Sequence, residues 1–237
     1  MKPKRLHCGQ LFALVLILFA VVTATPVLAN NGKQEDGEGQ YANLTALWWQ
    51  WLYAQPAIDV GGTNTNPSLD STGAYAASGQ EDGIGPGNKI FFLAGTFGVD
   101  AVRTVTVPKG KALFFPAISS EVDNAADPPT NYNVPQLRAF AAANVDATTA
   151  VHASINGAAL EILRIKSPTF DYTLPDENSL YDYFGLVGPQ FEGRIKPAVS
   201  DGYWVYVPPL QPGTYLLQFD SASPSLSINV TYHLTIN

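Results

Sequence analysis

Cysteine is nearly absent from this sequence. Cys8 is the only one in 237 residues, and it falls inside a segment that reads as an export signal. Beyond that segment the chain can form no disulfide and has no thiol nucleophile, thiolate metal site or iron–sulfur ligand. Met1 is the only methionine, so nothing downstream offers an easily oxidised sulfur. Of three histidines, only His152 and His233 lie past the signal. Two separated histidines without cysteine are a poor basis for zinc. Basic charge is scarce too, with 13 Lys and Arg against 20 Asp and Glu. An acidic chain repels phosphate backbones, so nucleic acid is not an expected partner. There is no Gly-x-Ser-x-Gly elbow, which argues against an α/β-hydrolase. The glycine-rich GIGPG run at 83–87 lacks the Lys-Ser or Lys-Thr that closes a phosphate loop.

What is present divides the chain into three parts. Lys2, Lys4 and Arg5 precede an uncharged apolar run, Leu11 to Val22, and Val27-Leu28-Ala29 ends it. This is the pattern of a signal peptide over 1–29, and a 12-residue apolar run is too short to span a bilayer. No later segment is long and apolar enough to span. The expected product is secreted or periplasmic and has a net charge near −10, the three signal cations having gone. Residues 30–40 contain no apolar side chain and predict a flexible leader. Residues 41–237 then predict a single β-sandwich domain.

The fold class predicted is a mainly β, antiparallel sandwich of jelly-roll or immunoglobulin-like type, with an N-terminal amphipathic helix and a short second helix. Leu44, Leu47, Trp48, Trp51 and Leu52 follow the spacing of one buried helical face, and Pro56 closes that helix. Trp49 and Tyr53 lie four apart on another face and either widen the buried stripe or form an exposed pair; burial is favoured. Residues 59–88 read as a long loop. Short strands follow at 89–94, 101–107 and 111–118, and a second helix at 134–144 with Pro135 in its first turn. Asn156-Gly157 predicts a type I′ hairpin that pairs Ile155 with Ala158 and sets His152 opposite Glu161. From 226 to 236, apolar and polar residues alternate, as in a strand with one buried and one wet face.

The candidate sites are of two kinds. An aromatic-rich exported sandwich suits sugar rings, which stack on flat aromatic faces. Trp49, Tyr53, Tyr203, Trp204 and Tyr206 are the candidate ligand residues. Hard cations take loop oxygens, and Glu121, Asp123, Asn124, Asp127 and Asn131 crowd the 119–133 loop. Calcium is thus the one possible cofactor, although the spacing is not that of an EF-hand. His152 facing Glu161 is the best candidate for an oriented imidazole, against the simpler reading of an exposed cross-strand pair.

Several runs together resemble an uncharacterised family of exported bacterial proteins. They are WWQWLYAQP (48–56), IFFLAGTFG (90–98), RTVTVPKGKALFFP (103–116), SPTFDYTLP (167–175), SDGYWVYVPPLQPGTY (200–215) and VTYHLT (230–235). The resemblance supports one continuous domain and implies no activity. It also implies a cysteine pair in some members where Ala76 and Val105 stand here. The functional expectation is a non-catalytic binding or surface-associated module, with an extracellular or periplasmic ligand, possibly a glycan. The alternatives are a secreted hydrolase or lyase using loop carboxylates, perhaps with calcium, and a structural envelope protein.

Overall fold

A computed structural model describes residues 35–126 and 128–237. The expected export signal lies outside the described residues. Helix α1 spans Glu35–Ala54, so it begins within the stretch expected as a leader. Helix extension from a packed segment gains one hydrogen bond for each residue fixed, which makes such an overhang inexpensive. Leu44, Trp48, Trp51 and Leu52 are buried, and so are Trp49 and Tyr53.

Ten strands form two five-stranded sheets. The first contains β1 (Ile90–Phe92), β3 (Ala112–Val122), β8 (Arg194–Val207) and β6 (Leu163–Lys166) in that order, with β7 (Phe170–Thr173) also paired to β8. The second runs β2 (Ala101–Val107), β10 (Ser227–Ile236), β9 (Gly213–Ala222), β4 (Ala150–Ile155) and β5 (Ala158–Ala159). Most ladders are antiparallel, but β1 pairs with β3 and β2 with β10 in parallel. The sandwich is therefore mixed, not purely antiparallel as expected. The reason is connectivity: after β1 the chain crosses to the second sheet as β2 and re-enters the first as β3. Such an excursion is the long connection that a parallel pair requires.

The first sheet is covered on both faces. Phe92, Phe114 and Trp204 point towards α1, while Phe91, Leu113, Phe115 and Val205 point towards the second sheet. Double coverage explains why IFF and ALFFPAI read as unbroken apolar runs. The second sheet is covered on one face only. Its strands alternate accordingly, β2 strictly and β10 with one half-buried exception at Thr231. Helix α2 (Val134–Asp146) opens with a capping box between Asn133 and Gln136 and lays Leu137 and Ala141 on Val199. Among the described residues no helix is long and apolar enough to cross a membrane.

The 59–88 region has little regular structure, yet buried polar side chains tie it down. Asn66 Nδ2 donates to Leu52 O at 3.0 Å, and Gln80 both donates to Phe92 O (2.8 Å) and accepts from Phe92 N (2.7 Å). Gly73, at φ 93°, lies so close to β2 that a Cβ would meet Thr104 O at 2.7 Å. Ala76 and Val105 bury in the same inter-sheet core without a disulfide between them.

Candidate functional site

The five aromatic candidates do not form one surface. Trp49, Tyr53 and Trp204 are buried, Trp204 completely. Trp204 stacks on Phe114 at 5.0 Å and meets Trp48 edge-on at 5.6 Å. Tyr203 and Tyr206 are half-buried and lean on different cores, since neighbouring strand residues point opposite ways. Tyr206 stacks on Tyr41 at 4.8 Å. The physical reason is the double coverage of β8, which a single sequence cannot reveal. A stacking platform built on Trp49, Tyr53 and Trp204 is not available at the surface.

The loop-oxygen candidates also divide. Asn124 folds inward on its own loop, accepting from Tyr132 N at 2.8 Å and donating to Tyr132 O at 3.0 Å. Asn131 is exposed, and Asp127 lies outside the described residues. No group of three or more His, Cys, Asp or Glu that could hold a metal ion occurs among the described residues. Only Glu121 and Asp123 come together, and three tyrosines meet them.

That carboxyl–tyrosine cluster is assembled from four elements. Glu121 is near the end of β3 and Asp123 follows it. Tyr53 comes from α1, Tyr172 from β7 and Tyr181 from the short helix α3 (Leu180–Tyr183). Tyr53 Oη donates to Glu121 Oε2 at 2.9 Å. Tyr172 and Tyr181 both donate to Asp123 Oδ2, the latter at 3.0 Å, and their hydroxyls lie 2.5 Å apart. Ala125 N donates to Asp123 Oδ1 at 2.6 Å. The rings pack as well, with Tyr53 stacked on Tyr172 at 4.2 Å and on Trp49 at 5.3 Å. The three tyrosines are buried and the two acids half-buried, and Glu121 Oε1 is fully buried and receives no hydrogen bond.

The electrostatics follow from this burial. Desolvation, and then the charge of Asp123, push the Glu121 carboxyl well above its ordinary range, with the Tyr53 hydrogen bond pulling back. Desolvation also raises Asp123, restrained by Tyr172, Ala125 and Tyr181. Burial and the adjacent carboxylates hold all three phenols well above their usual value. Phenolic O–H donors aimed at the carboxyl oxygens also occupy the lone pairs a calcium ion would use.

A second polar feature lies on the open face of the second sheet. The Asn156-Gly157 turn forms as expected, with both residues at positive φ, and Ile155 pairs with Ala158. The ladder then stops at Ala159, because the chain crosses to the first sheet as β6. His152 consequently faces Asp220 of β9, not Glu161, with Nδ1 3.0 Å from Oδ2. Beside them, Ser154, Gln218 and Asn229 line a shallow groove of about 310 Å³. Sequence reasoning missed Tyr172 and Asp220. A buried tyrosine hydroxyl needs a partner, and the alternation of Phe170, Tyr172 and Leu174 was the available signal for Tyr172. The Asp220 pairing depends on strand order, which local patterns do not carry. The chain matches no family model, no curated protein and no solved structure.

Proposed function

We propose that the protein is an exported, non-catalytic binding module that takes a glycan on the open face of its second sheet. The groove at His152, Ser154, Gln218, Asp220 and Asn229 carries this reading. It combines an imidazole, a hydroxyl, two amides and a carboxylate in one place. Sugar hydroxyls donate and accept at once, and this set offers both roles. The face continues outward through Thr104, Thr106, His233 and Thr235, in register across β2 and β10. The binding is by hydrogen bonds to a flat polar sheet, not by stacking on the buried tryptophans.

Thermal melting of residues 30–237 against a glycan panel tests the reading. A ligand at 100 times its Kd adds about 2.7 kcal/mol, which for a chain of this size raises Tm by roughly 5–10 °C. The double variant Gln218→Ala/Asp220→Ala removes exposed groups, so it is expected to keep its own Tm and lose the glycan shift. A panel that moves nothing, or a shift that survives in the double variant, rejects this surface.

A further inference from the structure

The carboxyl–tyrosine cluster is not used by the sheet-face reading and carries a separate inference. Its atoms allow a proton count. Asp123 accepts from Tyr172, Tyr181 and the Ala125 N–H, a set of donors suited to an ionised carboxylate. Glu121 accepts from Tyr53 alone, and its Oε1 is buried with nothing donating to it. A proton on Glu121 removes a buried charge and turns that idle acceptor into a donor. The charge of neighbouring Asp123 favours such a proton as well, because two bare carboxylates buried side by side would only repel.

We propose that Glu121 and Asp123 hold one proton between them, and that this proton fastens the end of β3 to α1, β7 and α3, so that its loss to solvent base undoes the fastening. Every tyrosine bond in the cluster joins different elements. Tyr53 ties α1 to β3, while Tyr172 and Tyr181 tie β7 and α3 to Asp123. The charged groups on the α2 side are already engaged. Arg164 binds Asp201 and Asp146, and Arg138 donates to the Ser167 carbonyl. Among the described residues no lysine, arginine or histidine forms an ion pair with Glu121 or Asp123. A second negative charge in the cluster would thus meet three phenols and a carboxylate but no cation.

The sign of the pH effect is fixed by linkage. A carboxyl whose folded pKa is raised contributes stability that is complete below its unfolded value, about 4.3. That stability is lost as pH rises through the folded value. Within this window Tm is expected to fall by about 3–5 °C per pH unit. Glu121→Gln keeps the shape and the donor while removing the titration. It is expected to flatten the fall and to melt higher than wild type on the alkaline side. Amide exchange at 119–125 is expected to quicken with pH in wild type but not in the variant. Should Glu121→Gln fail to fold, the wild type alone decides. The buffer dependence of its unfolding enthalpy, read between the unfolded value of about 4.3 and the raised folded one, is expected to show net proton release. No proton release, or a Tm fall that persists unchanged in a folded Glu121→Gln, overturns the proposal.

Discussion

Arg103 shows how much one residue can organise. It projects from β2 into the space between the sheets and is almost wholly buried. Its guanidinium donates to Asp70 O (2.7 Å), Ala94 O (2.5 Å), Gly95 O (3.2 Å) and Tyr232 Oη (2.6 Å). Among the described residues no carboxylate forms an ion pair with it, and carbonyl dipoles and one phenol hold the charge. Removing the side chain strands those carbonyls and leaves a cavity, two of the mechanisms behind large losses. Arg103→Ala is expected to cost about 3–5 kcal/mol in urea unfolding, and Arg103→Lys most of that, since one ammonium cannot span four acceptors. A loss below about 1 kcal/mol would show the network to be incidental. The next residue-scale feature is Asp70. Burial works against its charge, but Tyr75 N–H, both Thr72 donors and Arg103 outweigh burial and hold its carboxyl below the usual range.

Among the elements, α1 bears most on the fold. It covers the first sheet with Trp48, Trp51 and Leu52, and its indoles donate to Leu93 O at 2.9 Å and Ser78 O at 2.7 Å. Trp48→Ala removes a buried ring and orphans a carbonyl, so a loss of about 3–5 kcal/mol is expected by denaturant unfolding. The buried face of this helix was legible in the sequence, and so were the bounds of β2 and the turn at Asn156-Gly157. Each rests on a local rule of spacing or turn chemistry. What was not legible depended on partners far along the chain. Trp204 looked available for ligands because nothing local marks a sheet as covered on both faces. His152 was assigned a carboxylate within its hairpin, whereas the partner sits on β9. Glu121 and Asp123 were named only among five loop oxygens for calcium, and the tyrosines that define their chemistry come from three other elements. The buried amides of the 59–88 loop, Asn66 and Gln80, were hidden by a composition that reads as solvated.

Across the whole molecule, acid and alkaline limits come from different groups. Asp70, and the exposed Asp59 held down first by the Thr63 N–H, have lowered values. Lowered carboxyls contribute stability that is present above their unfolded value, about 3.9, and lost as pH falls through the folded one. Glu121 and Asp123 act in the opposite sense. Greatest stability is therefore expected at mildly acid pH. Asp70→Asn is expected to lower Tm near neutrality and to weaken its fall on the acid side, as read from a melting series between about pH 2 and 7. An acid limb as steep as in wild type would assign that limb to other carboxylates. The parallel ladder between β2 and β10 has a further consequence, which concerns time. Tyr232 closes over Arg103 and over the Ala94 backbone from 129 and 138 residues away. A chain that emerges N-terminus first delivers β10 long after β2. Until then the Arg103 cation lacks its phenol and the second sheet lacks the strand that joins β2 to β9. Contacts of such sequence separation slow folding, and the delay leaves β2 without a partner strand. The same ladder that joins the molecule makes its early strands wait, in the open, for nearly the whole chain to arrive.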